Sequence, residues 1–204
     1  MSIAEKLQTI AENEQRVFEA GKEAEWSEFW DYYQNNGTKT QYPNAFFAWP
    51  EKVYKPKYPI FMDNSSTGAF NWSQITDTIV DIELGAKADV SFMFSNCYYL
   101  VTVSKLIVTP TAKFDYAFNN CTALENITIE GVIGTNFNII SSPLTVESAK
   151  SIINALKNYA ETDKKYLYTL YFASDVWTRL EADSTAPNGG TWQDYVVYNL
   201  GWNI

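Results

Sequence analysis

The chain has 204 residues, with 15 Lys+Arg against 24 Asp+Glu, a formal net charge of −9, and no histidine. Its length gives room for one large domain or two small ones, and 46% apolar with 19% charged residues excludes a disordered polar chain. Without histidine there is no Ser-His-Asp or Cys-His catalysis, no His-ligated zinc and no imidazole switch, and the acidic balance with only Arg16 and Arg179 argues against gripping nucleic-acid phosphates.

Charges at Glu5, Lys6, Glu12, Glu14 and Arg16 break up any apolar signal-peptide core at the start of the sequence. Residues 2 to about 24 read as a helix opened by a capping box, Ser2 with Glu5. Ile3, Leu7, Ile10, Val17 and Ala24 follow a 4-3-4-3 seam, interrupted by Glu14 and Gly21. Such a narrow apolar stripe on a marginal helix seeks a partner. Two readings stay open: a self-association or anchoring helix (residues 1–25) with Ile3, Leu7, Ile10 and Val17 as its oligomerisation face, or a helix packed on its own domain.

Residues 26–39 follow as an aromatic helix. Trp26, Phe29, Trp30 and Tyr33 share one face, which is read as a core cap because so apolar a face seeks burial. The alternative is an exposed aromatic binding strip. Glu25, Glu28 and Asp31 take the opposite, solvated side, and Gly37 stops the helix.

From 40 to 141 the helical period disappears, and phenylalanine recurs at 46, 70, 94 and 118, every 24 residues. The last two copies match over Phe94-Ser95-Asn96-Cys97-Tyr98-Tyr99-Leu100 and Phe118-Asn119-Asn120-Cys121-Thr122-Ala123-Leu124; the first two keep little beyond an Ala-Phe pair. Short β-branched runs follow, Leu106-Ile107-Val108 and Ile127-Thr128-Ile129. A period of this size implies a solenoid of parallel short strands, with Phe46, Phe70, Phe94, Phe118, Leu100 and Leu124 as core columns. Asn96 and Asn120 belong in turns. Cys97 and Cys121, too few for a disulfide framework, are read as buried free thiols in preference to reactive ones.

Residues 142–204 read as a C-terminal α/β cap. Thr145 caps a helix running to about Tyr159, with Val146, Ala149, Ile152, Ile153 and Leu156 inward. Residues 166–172 are a strand, and Ser174 caps a helix carrying Val176, Trp177 and Leu180. A turn at Pro187–Gly190 leads to a last helix, opened by Thr191 and Asp194 and ended by Gly201; Trp202–Ile204 is a short final strand. The cap is expected to seal the end of the solenoid, because an uncovered repeat exposes a strand edge.

The repeat Phe-x-Asn-Cys-x-x-Leu resembles the BspA-like leucine-rich repeats of gut bacteria and their phages. The segments 3–13, 127–134 and 148–156 are similar to parts of leucine-rich-repeat proteins from the same source. The resemblance implies an α/β fold, a leucine-rich-repeat-like parallel solenoid with an N-terminal helix and a C-terminal cap. It implies a binding or structural role without catalytic residues. The departure from the family lies in the first two repeats, which lack the Asn-Cys pair.

No phosphate loop, nucleophile elbow, dinucleotide fingerprint or EF-hand loop occurs in the sequence, and Asp115, Glu125 and Glu130 read as turn or surface groups. The expectation is a non-enzymatic protein with no catalytic, cofactor-binding or metal site, whose partner is a protein or a cell-surface glycan. Homo-oligomerisation through the first helix is part of that expectation; nucleic-acid binding and membrane insertion are not. The leading reading is a phage virion component, in a tail or head appendage, assembled in the host cytoplasm. A bacterial surface or non-classically secreted adhesin is the alternative, and a carbohydrate-active enzyme with dispersed carboxylates the remote one. Five Asn-x-Ser/Thr triplets, from Asn36 to Asn126, are read as chance products of an Asn- and Thr-rich sequence.

Overall fold

A computed structural model describes residues 53–54, 60–62, 67–72, 75–183 and 186–204. The seam Ile3, Leu7, Ile10 and Val17, the aromatic helix at 26–39, and Phe46 lie outside the described residues.

The chain order is β1 (Val53–Tyr54), β2 (Ile60–Met62), β3 (Asp77–Leu84), β4 (Thr102–Val108), β5 (Asn126–Gly131) and β6 (Phe137–Asn138). There follow α1 (Val146–Ala155), β7 (Leu170–Tyr171), α2 (Ser174–Ala182) and α3 (Trp192–Asp194), which runs on as a π-helical stretch, Tyr195–Asn199. The strands β3, β4 and β5 lie side by side in a parallel sheet, and β1 and β2 both pair with β3. Partners are about one sequence period apart: Ile82 faces Leu106, Thr102 faces Asn126 and Leu106 faces Ile129.

The strands follow from their side chains. In β5, Ile127 and Ile129 point inward while Asn126, Thr128 and Glu130 face solvent, the period-2 alternation of a half-buried strand. In β4 the buried positions are Val103, Leu106 and Val108. The alternation slips between Val103 and Leu106, where the register with β5 also shifts. An extra residue at that point turns Leu106 back to the core.

Parallel strands need a return path, and here it is made of turns. Ser91–Asn96 and Asp115–Asn120 are corresponding turn blocks, bound to each other by a main-chain ladder. Phe92 N donates to Asp115 O at 2.9 Å, Phe94 N to Ala117 O at 2.8 Å and Asn96 N to Asn119 O at 2.7 Å. One repeat earlier, Gly68, Phe70 and Trp72 donate in the same way to Ser91, Met93 and Ser95. The return path therefore leaves few main-chain groups unsatisfied, which burial against the core requires.

At the far side of β5, α1 occupies the place of a further strand. Thr145 caps it, its hydroxyl accepting from Ser148 N. The Ser148 hydroxyl accepts from Ile127 N at 3.0 Å and the Ser151 hydroxyl from Ile129 N at 2.8 Å. Two helix serines thus satisfy the N–H groups of an otherwise open strand edge. Gly131, with φ 92°, closes β5 where a Cβ would run into the Val108 carbonyl oxygen. One buried cluster extends from Ala69 to Trp202, so the 40–141 and 142–204 segments share a core across the described residues.

Four expectations for the C-terminal segment need correction. The strand expected at 166–172 shrinks to Leu170–Tyr171, with a single bridge at Thr169. Aromatic β-propensity is overridden because the chain turns at 163–167, Tyr166 takes a left-handed φ of 61°, and β6 offers only two residues to pair with. The helix α1 ends at Ala155, not near Tyr159, because Leu156 goes extended to bridge Ile133. Ser174 is the first residue of α2, and Ala173 stands at the cap position with no side-chain bond. Trp202–Ile204 makes one bridge, Asn203 to Thr169, in place of a strand; Trp202 is fully buried and its indole N–H donates to Lys157 O at 2.8 Å.

Candidate binding face

The positions singled out in the sequence fall into columns. Phe70, Phe94 and Phe118 are buried one above another, their ring centroids 5.0 and 5.6 Å apart and nearly parallel. Phe137 continues the column at 5.6 Å from Phe118. Leu100 and Leu124 are also fully buried.

The cysteines repeat one geometry. The Cys97 thiol donates to Phe70 O and the Cys121 thiol to Phe94 O, each at 3.0 Å. Both are free and buried. Desolvation, with a smaller contribution from Cys97, pushes the Cys121 thiol well above the ordinary thiol range. A thiol held protonated, buried and committed to a carbonyl is a poor nucleophile.

The asparagines form an amide ladder across three turns. Asn120 Nδ2 donates to Asn96 Oδ1 at 2.8 Å, and Asn96 Nδ2 reaches Asn71 Oδ1 at 3.4 Å. The Tyr98 hydroxyl donates to the same Asn96 oxygen at 3.2 Å. Asn71 was not singled out in the sequence because it follows its phenylalanine by one residue, whereas Asn96 and Asn120 follow theirs by two. The side chain makes up the difference, so a repeat that loses the motif in sequence keeps its amide in space.

Each turn contains two left-handed residues. One set is Gly68, Phe92 and Tyr116, with φ of 67°, 59° and 55°; the other is Trp72, Asn96 and Asn120, with φ of 63°, 61° and 58°. Glycine and asparagine adopt this conformation readily, but a bulky aromatic costs about 1–2 kcal/mol there. The three rings Trp72, Phe92 and Tyr116 therefore hold strain in a protein whose whole stability is of the order of 5–15 kcal/mol. Such strain persists only where the surroundings fix the backbone, as the ladder bonds at Phe92 and Trp72 do.

The same rings are exposed: Trp72 at 46%, Phe92 at 40% and Tyr116 at 58%, as are Tyr98 and Tyr99, just after the Ser91–Asn96 turn, at 40% and 62%. Phe92 stacks on Tyr116 at 5.2 Å with an angle of 13° between planes, and Trp72 meets Tyr98 edge-on at 5.7 Å. Sequence reasoning overlooked this surface because aromatic residues ordinarily argue for a core. The legible signal was the coincidence of Gly68, Phe92 and Tyr116 at the 24-residue period.

Elsewhere the chemistry is that of a surface. Lys105 lies between Glu130 at 3.0 Å and Asp81 at 3.8 Å on the outer face of the sheet, and the hydrogen bond to Glu130 raises its pKa. A shallow groove of about 370 Å³ separates that face from the start of α1, its mostly apolar lining including Val103 and Ile127 beside Thr102, Ser104, Asn126 and Thr128. Among the described residues no three acidic or cysteine side chains gather as a metal site, and no helix is long and apolar enough to cross a membrane. Comparison with family models, with curated proteins and with solved structures found no match.

Proposed function

We propose that the chain is a non-enzymatic interaction module built as a parallel, leucine-rich-repeat-like solenoid, and that it serves as a component of a phage virion. One observation carries the binding role: exposed aromatic rings on successive turns, Phe92 and Tyr116 one repeat apart and Trp72 on the turn before, held at a cost in backbone strain. The solenoid reading is supported by the parallel register of β3, β4 and β5, by the turn-to-turn ladder and by the serine-sealed edge. The place in a virion follows from the resemblance of the repeat and its flanks to proteins of gut bacteria and their phages. The role it fits there is contact with a host surface or with another virion protein.

Mass spectrometry of purified phage particles tests the assignment. Peptides of this chain at a constant ratio to a known structural protein are the expected result. Their absence from particles, with recovery from the bacterial envelope, would favour an adhesin over a virion protein.

A further inference from the structure

We propose that the exposed rings on the stacked turns form a binding site for an uncharged polysaccharide; this rests on the module reading above and names its ligand class. Phe92 and Tyr116 stand where the preceding turn has Gly68, at a backbone conformation that glycine or asparagine adopts without strain. Each leaves 40% or more of its surface in solvent, so what the rest gains by burial and stacking is set against the backbone strain. Rings retained at a strained, exposed position point to a ligand.

The geometry fits sugar rings. One face of Phe92 stacks on Tyr116, and the opposite face looks toward the turn in which Gly68 brings no side chain. Both rings keep 40% or more of their surface in solvent, so a ligand can reach them. The negative face of an aromatic ring attracts the polarised C–H groups on the flat side of a pyranose. Further along the turns, the amides of Asn96 and Asn120 and the Tyr98 hydroxyl bond to one another, and their remaining donor and acceptor capacity suits sugar hydroxyls. Turns recur at about 4.8 Å, and two of them pair a ring with an amide, Phe92 with Asn96 and Tyr116 with Asn120.

Charge and size narrow the ligand further. Asp115 is exposed immediately before Tyr116, and the chain carries a net −9, so an anionic polymer is repelled. Three turns at that spacing extend roughly 10 Å along the stack. A stable protein partner needs about 800 Å² on each side, more than this row presents. The rings are also pre-set, because the ladder fixes the backbone that carries them.

Native affinity electrophoresis of the full chain tests the proposal, in gels containing mannan, xyloglucan, galactan or mixed-linkage glucan, with polygalacturonate as the anionic control. The expected result is retardation by at least one neutral polymer and none by polygalacturonate. The double variant Phe92→Asn/Tyr116→Asn should weaken that retardation at least tenfold while its thermal midpoint stays level or rises, since asparagine relieves the strain. No retardation by any neutral polymer, equal retardation of the variant, or retardation by polygalacturonate alone would each overturn the proposal. A variant with a lowered midpoint would make the rings structural and overturn it as well. None of these outcomes touches the module reading, which fails only if the chain is absent from virions and cell envelopes alike.

Discussion

Phe94 sits at the centre of the phenylalanine column, fully buried between Phe70 at 5.0 Å and Phe118 at 5.6 Å. Replacing it by leucine keeps most of the apolar burial and removes two ring contacts, each worth about 0.5–1.5 kcal/mol beyond area. The expected loss is therefore about 1–3 kcal/mol for Phe94→Leu, rising to about 3–5 kcal/mol for Phe94→Ala, where a cavity is added. Urea unfolding followed by tryptophan fluorescence reads this directly: with a slope of about 2 kcal/mol/M, a 2 kcal/mol loss moves the midpoint by about 1 M. Double-mutant cycles then test the order of the column. Phe94→Leu with Phe118→Leu should couple by about 0.5–1.5 kcal/mol, whereas Phe70→Leu with Phe118→Leu, two ring spacings apart, should couple by less than about 0.5 kcal/mol. Equal coupling in both cycles, or a Phe94→Leu loss below about 0.5 kcal/mol, would refute the stacked column.

The serine edge makes a second test: Ser148→Ala removes the acceptor of the buried Ile127 N–H and should cost about 1–3 kcal/mol. Ser151→Ala should cost less, at a half-buried site, and faster amide exchange at Ile129 is its direct readout; unchanged exchange would contradict the edge role. The thiol of Cys121 gives a pH test. Its folded pKa is raised by burial, so the unfolded chain loses that proton first, and stability is intact below the unfolded value of about 8.5. Above it, stability should fall by about 1.4 kcal/mol per pH unit. Urea midpoints at pH 8 and pH 10 should show that fall in the native chain and a shallower one in Cys121→Ala; identical slopes would show that the thiol is not desolvated.

The core of the repeat was legible because its residues serve packing alone. Phe70, Phe94 and Phe118 recur at a fixed interval since each must land on the ring below, and Cys97 and Cys121 recur since each thiol meets the same carbonyl. What escaped the sequence depends on backbone conformation or on partners distant in the chain. Phe92 and Tyr116 are set apart only by their left-handed φ and their exposure. Ser148 and Ser151 read as ordinary residues on a helix flank, because the amides they satisfy lie more than 20 residues earlier. Asn71 escaped because a one-residue slip breaks a motif without breaking the contact. The 166–172 run misled in the other direction: its composition favours a strand, and a strand needs a neighbour of equal length.

The central claim is that successive turns are joined main chain to main chain, with each donor bonded to a carbonyl in the next repeat. Through-hydrogen-bond scalar couplings in a deuterated, isotope-labelled sample measure this without intermediates. Correlations are expected from the amide nitrogens of Phe92, Phe94 and Asn96 to the carbonyl carbons of Asp115, Ala117 and Asn119. Correlations from those amides only to carbonyls within their own turn, or to a different register in the neighbouring one, would contradict the stacked repeat and the aromatic row that depends on it.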